Sequence, residues 1–138
     1  MKGDFKRQLT LFDPSLYKDV PVVVVGVGGI GSGVLMGLAK MGVSNITVYD
    51  DDLLENHNIP NQFYTNDSIG MPKVHAAYEI ANKFSPDEIK IKINSEKAEG
   101  STVIDDGSIV IFAMDSLKAR NELFTSRFIS QASYLVDA

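Results

Sequence analysis

Apolar and polar positions recur along this chain with periods that change from element to element. "PVVVVG" (21–26) is a β-branched run closed by glycine, and it predicts a strand buried on both faces. "IGSGVLMGLAKMG" (30–42) sets Ile30, Val34, Leu38 and Met41 on one helical stripe, and Gly42 stops the helix. "SNITVYD" (44–50) predicts a second strand. This strand–turn–helix–strand unit has the length of a crossover between parallel strands, roughly thirty residues.

The stretch 51–68, "DDLLENHNIPNQFYTNDS", is polar and irregular, and Pro60 argues against a helix through its middle. A loop of that length inside a compact domain is commonly functional. "MPKVHAAYEIANKFSP" (71–86) predicts a helix with Pro72 near its first turn. "EIKIKIN" (88–94) alternates apolar with charged, which predicts an edge strand with one wet face. "GSIVIFAM" (107–114) reads as a buried strand, 116–131 as a helix and "YLVDA" (134–138) as a last strand. Tyr78, Ile80, Phe84 and the apolar set from Phe112 to Phe124 are expected in the core. The order implies an α/β fold: a doubly wound, mostly parallel Rossmann-like sheet with helices on both faces. No repeat or linker divides the chain, so residues 1–138 are read as one domain. It stops directly after a strand, where such a domain would often continue with a helix, and truncation at the C-terminus is expected.

Composition narrows the function. Hydrophobic residues are 44% and charged residues 22%, ordinary for a soluble globular protein. A net charge of -5 argues against a nucleic-acid surface. With no cysteine, disulfides, thiolate zinc sites and a cysteine nucleophile are excluded in this chain. No apolar stretch reaches membrane-span length, and the N-terminus carries charges where a signal peptide needs an apolar core. A cytoplasmic setting is the expectation.

Gly26, Gly28 and Gly31 satisfy G-x-G-x-x-G directly after the first strand. The first glycine permits the tight turn, the second lets a phosphate approach the backbone, and the third lets helix and strand pack closely. The following helix N-terminus then offers free N–H groups and its dipole to an anion. Asp50 stands at the end of the second strand, where a carboxylate accepts ribose hydroxyls. The competing reading is a glycine-rich turn with no ligand. These residues serve NAD and ATP equally.

The remaining segments resemble the ThiF/MoeB/HesA family and the adenylation domain of ubiquitin-activating enzymes. "KRQLTLF" (6–12) is similar to that family's R-Q segment, and "VVVVGVGGIGS", with the doubled glycine Gly28-Gly29, to its nucleotide turn. "VYDDDLLENHNIPNQF" resembles its D-x-D and N-x-x-R-Q loop. "GMPKVHAA" resembles its G-x-x-K, and "FAMDSLKARNEL" its D-x(4)-R-N. The resemblance implies ATP-dependent adenylation of the C-terminal carboxylate of a ubiquitin-like or sulfur-carrier protein, giving an acyl-adenylate and pyrophosphate. It implies that Asp50 holds the ribose, with Asp52 near the same pocket. Asn58 and Gln62 would frame the phosphate loop, Lys73 would reach the phosphates, and Asp115 would coordinate magnesium. Arg7 would act as an arginine finger supplied by the other subunit of a homodimer.

Each residue also has a plain structural reading. Lys73 could be a solvated lysine, Asp115 could cap the helix 116–131, and Arg7 could be a solvated terminal arginine. Asp51 reads as surface charge, Arg120 as a partner for a carboxylate, and His57 and His75 as exposed histidines without metal-ligand spacing. The chain departs from the family at Asn61, where the family loop carries arginine; losing a charge-assisted phosphate bond costs about 1.5–3 kcal/mol. The family's later strands, catalytic cysteine and paired C-x-x-C sites have no counterpart in this sequence. Two alternatives stand beside adenylation: an NAD-dependent oxidoreductase domain and a non-catalytic ATP-binding or interaction module.

Overall fold

The computed structural model describes residues 3–138. Its five-stranded sheet has the order β3-β2-β1-β4-β5, with β1 Val22–Val25, β2 Asn45–Tyr49, β3 Lys90–Asn94, β4 Ser108–Phe112 and β5 Ala132–Asp137. Every pairing is parallel, including β1 with both β2 and β4. Parallel neighbours need crossovers, and these use both faces. Helices α1 (Gly29–Met41) and α2 (Lys73–Phe84) lie on one side; α3 (Leu117–Phe124) and α4 (Arg127–Ser130) lie on the other.

The valine run of β1 shows why the fold is doubly wound. Side chains alternate across a strand, so Val22 and Val24 enter the α1/α2 core while Val23 and Val25 enter the α3/α4 core. Each core is closed by large apolar groups: Leu35, Ile46, Val48, Leu54 and Val74 on the first side, Phe112, Leu123 and Phe128 on the second. The Phe112 and Phe128 rings stack at 6.3 Å. Strand β3 is an edge with a partly wet face, as its alternation predicts. No helix among the described residues is long and apolar enough to cross a membrane.

Several boundaries differ from the sequence reading. The helix expected over 116–131 is broken at Thr125–Ser126. There Thr125 Oγ1 donates to Asn121 O, Ser126 Oγ donates to Leu123 O, and the same Oγ accepts from Phe128 N. These hydroxyls satisfy backbone groups and release the chain from one helix into the next. Residues 51–68 are not wholly irregular: they contain 3-10 turns at Asn56–Asn61, with Pro60 inside, and Asn66–Ser68. The last strand begins at Ala132, earlier than expected.

The stripe Ile30, Val34, Leu38 and Met41 is a flank of α1 and not its buried face. Ile30 is 55% exposed; Gly31, Ser32, Leu35 and Ala39 face the sheet instead, because small residues let the helix approach closely. Tyr78, Phe84 and Phe124 are exposed, contrary to expectation, while Ile80 packs on the core and Phe112 is fully buried. Aromatic residues at helical spacing mark a face without saying how far the neighbouring layer extends over it.

Candidate functional site

The strand order reverses beside β1: β2 lies on one side of it and β4 on the other. Ligands of open α/β sheets bind at the carboxyl ends of strands at such a switch point. The turn after β1 occupies that position. Gly26 holds φ +91, and a Cβ there would meet Met114 N at 2.8 Å and Ala113 O at 3.0 Å. A Cβ on Gly31 would overlap the Gly26 carbonyl oxygen and lie 2.7 Å from its carbon. Both glycines are therefore demanded by packing within the chain.

Gly28 and Gly29 are different. A Cβ on Gly28 would approach nothing closer than Gln62 Nε2 at 3.7 Å, and on Gly29 nothing closer than Asn61 O at 3.4 Å. These are ordinary contacts, so no internal packing requires glycine there. Neither a side-chain cap nor an acidic residue occupies the first turn of α1. The N–H groups of Gly28, Gly29, Ile30 and Gly31 find no acceptor among the described residues. Unpaired donors at an exposed helix N-terminus suit an anion.

Asp50 fastens this turn to β2. Its Oδ2 accepts from Val27 N at 2.8 Å and its Oδ1 from Asp52 N at 2.9 Å. Burial raises its pKa above the ordinary carboxylate value; the amides of Val27 and Asp52 and the charge of Lys73 oppose that rise, and the Asp52 charge adds to it. A carboxylate offers about four lone-pair sites, so two backbone bonds leave capacity for ribose hydroxyls.

Lys73, the first residue of α2, is 7% exposed and not a solvated lysine. Its Nζ donates to Asp52 Oδ2 at 2.9 Å and its backbone N donates to Asp52 O at 2.9 Å. The 52–54 segment is further tied to the start of α2 by Leu54 N donating to Met71 O. This ladder places an ammonium group, held by an exposed carboxylate, beside Asp50. The carboxylates of residues 50–52 lie within 4.8 Å of one another. Each has a partner: Asp50 the two amides, Asp51 Lys97 at 3.8 Å, and Asp52 Lys73.

Gln62 and Asn58 come from the loop that closes over the turn. Asn58 is buried and its Oδ1 accepts from Glu55 N, which shapes the 3-10 turn. Gln62 Oε1 is buried with no hydrogen-bond partner among the described residues, which marks an acceptor short of a donor at the edge of the glycine turn. Asn61 is exposed.

Asp115 follows β4, and the backbone of Met114 abuts Gly26. It does not cap the next helix: Ser116 Oγ does, accepting from Ala119 N at 3.2 Å. The Asp115 carboxylate is exposed and makes no hydrogen bond or ion pair among the described residues. Arg120 does pair with a carboxylate, meeting Asp137 Oδ1 at 3.0 Å, and its other donors hold Met114 O and Ala138 O. Asp51, His57 and His75 are exposed, as expected.

Arg7 is not brought to this site within its own chain. Its neighbour Gln8 donates to Met41 O at 2.8 Å, and the Phe5 ring lies against Gly42. Both anchors are at the far end of α1, whose 13 residues span about 20 Å. Positions 1 and 2 of the N-terminal segment lie outside the described residues.

Tyr64 is a residue that the sequence reading missed. It is buried, and its hydroxyl donates to Val27 O at 2.5 Å. Burial raises its pKa far above the usual phenol value. An aromatic residue inside a polar loop was the one available signal.

The ThiF family profile matches residues 6–137. Molybdopterin-synthase adenylyltransferase of Escherichia coli (strain K12) is 30% identical over 135 residues, covering 92% of this chain and 54% of that protein. SAMP-activating enzyme E1 of Haloferax volcanii is 31% identical over 102 residues, covering 72% of this chain and 38% of the enzyme. The chain thus spans about half, or less, of the curated relatives it matches. Among solved structures, tRNA N6-threonylcarbamoyladenosine dehydratase of E. coli in complex with ATP superposes with a TM-score of 0.82 at 25% identity. The overlap covers 96% of this chain and 57% of that one.

Proposed function

Because the chain belongs to the ThiF family, we propose that it is a single nucleotide-binding domain that grips ATP in its glycine turn. It serves as the nucleotide half of an enzyme that adenylates the C-terminal carboxylate of a ubiquitin-like or sulfur-carrier protein. The observation that carries this reading is the contrast among the glycines. Gly26 and Gly31 are required by packing, whereas no packing contact among the described residues requires glycine at 28 or 29, which border unpaired N–H groups. Relatives named as adenylyltransferases and E1 enzymes support ATP over NAD.

In this reading the helix N–H groups hold phosphate oxygens, Asp50 accepts ribose hydroxyls, and Gln62 frames the turn beside Gly28. A carboxylate nucleophile and a triphosphate repel one another, so cations must offset charge as the α-phosphate is attacked. Lys73 supplies one, steered by Asp52. No side-chain base is needed, because the attacking carboxylate is already ionised. Magnesium fits the donor set at Asp115, a hard oxygen ligand beyond the carboxyl end of β4 with no competing partner among the described residues. When bound, magnesium neutralises phosphate charge.

Arg7 serves the site of a neighbouring copy, as an arginine finger in a homodimer. The support is its position: anchored at the far end of α1, it is remote from the turn of its own chain. Sedimentation should therefore show a dimer, and a monomer at high concentration would remove Arg7 from the reaction. The setting is cytoplasmic in this reading, with no nucleic-acid or membrane partner.

Calorimetry with ATP and NADH tests the nucleotide choice. ATP should bind, more tightly with magnesium, and NADH should not; Asp115→Asn should lose most of the magnesium enhancement. NADH binding without ATP binding would overturn the proposal. Exchange of labelled pyrophosphate into ATP, with a carrier ending in Gly-Gly, tests the chemistry. ATP binding without exchange would favour the non-catalytic module, for which Asn61 in place of a family arginine is the specific argument.

A further inference from the structure

Of the Val27–Gly28 peptide, only the carbonyl has a hydrogen-bond partner among the described residues. Tyr64 Oη donates to Val27 O at 2.5 Å, while Val27 N, part of the preceding peptide, donates to Asp50 Oδ2 at 2.8 Å. No cis peptide occurs among the described residues. In a planar trans peptide the C=O and the following N–H point in opposite directions. Fixing the Val27 carbonyl towards Tyr64 therefore fixes the Gly28 N–H away from it. Tyr64 belongs to the buried cluster shared by α1 and α2, so that N–H is turned out of the core. It has no acceptor among the described residues. Gly28 itself is half-buried, and the adjoining Gly29 is exposed.

From this geometry we infer that Tyr64 is a positioning residue for phosphate binding: its hydroxyl sets the Val27–Gly28 peptide so that Gly28 N–H is aimed at an anion above the turn. The inference rests on the nucleotide reading and adds to it a residue from outside the glycine turn. The phenol is well suited to the task. Val27 is fully buried, so its carbonyl has little access to water and depends on Tyr64 for a donor. The ring is itself locked in the core, so the hydroxyl holds a fixed place. Without it, the Val27–Gly28 peptide loses its one direct hydrogen bond, and the first donor of the nest is less firmly aimed.

Satisfying a buried carbonyl would by itself stabilise the fold, so stability cannot distinguish the roles. Binding can. Tyr64→Phe keeps the ring and removes only the hydroxyl. In calorimetry the variant should bind ATP about five-fold more weakly, the worth of roughly one hydrogen bond. Its affinity for adenosine, which reaches Asp50 without using the phosphate nest, should be unchanged. In the 15N-labelled full chain, the Gly28 amide signal of Tyr64→Phe should move in the free protein and respond less to ATP. Unaltered ATP affinity, or an equal loss for adenosine, would overturn the role of Tyr64 and leave the nucleotide reading standing. Failure of the unaltered chain to bind ATP would overturn the nucleotide reading and this inference with it.

Discussion

Gly31→Ala should cost about 3 kcal/mol or more of stability, while Gly29→Ala, two residues away, should cost none and still weaken ATP binding about ten-fold or more. The reason lies in what each added methyl would meet. At Gly31 it would overlap the Gly26 carbonyl and press on Ala113, with contacts at 2.7 Å to Gly26 C and 3.3 Å to Ala113 Cβ. Backbone cannot yield there without moving α1 off the sheet, so the helix and its buried Leu35 and Ala39 contacts are at stake. At Gly29 the nearest atom is Asn61 O at 3.4 Å, and the position is the first of the helix. Alanine should raise stability slightly, by about 0.5 kcal/mol, because it restricts the unfolded chain. The same methyl would stand where phosphate approaches the helix N–H groups. Loss of such charge-assisted bonds should weaken ATP by about ten-fold or more. Thermal midpoints and calorimetric ATP titrations of the two variants check both halves. A Gly29→Ala protein that binds ATP as the parent does would show that the exposed face of the turn is not the phosphate site.

Lys73→Ala should weaken ATP binding by about 10- to 100-fold and leave adenosine affinity nearly intact. The buried ammonium pairs directly with exposed Asp52, and its charge also acts on Asp50 beside the turn. The stability effect should be small, about 1 kcal/mol, from lost packing of the lysine stem. Asp52, 63% exposed at its side chain, returns to water when its partner is removed. Retained ATP affinity in a folded Lys73→Ala protein would mean that the lysine serves only to tie α2 to the end of β2. Asn61 sharpens this test. With the family's loop arginine missing, the share of phosphate charge borne by Lys73 should be larger.

Much of this architecture is written in local patterns. The valine run, the glycine spacing, the stripe of α1 and the alternation of β3 each report on a few neighbouring residues, and the order of elements then dictates a parallel sheet with crossovers. Gly26, Gly28, Gly31 and Asp50 are legible for the same reason: a strand–turn–helix unit brings them together within one short stretch. Other features depend on which distant segment lies alongside. Gly31 is confined by Gly26 and Ala113, Lys73 is buried beside Asp52, and Tyr64 reaches Val27 across the turn. Ile30 and Met41 are exposed although their periodicity is apolar, because periodicity reveals a helix face but not the layer that covers it. The break at Thr125–Ser126 and the capping by Ser116 turn on hydroxyls choosing between backbone partners, a competition settled only once the surrounding chain is packed. Local propensity decides what each segment becomes; the role of an individual glycine, lysine or tyrosine is set by contacts made through space, and these exist only after the sheet has closed around them.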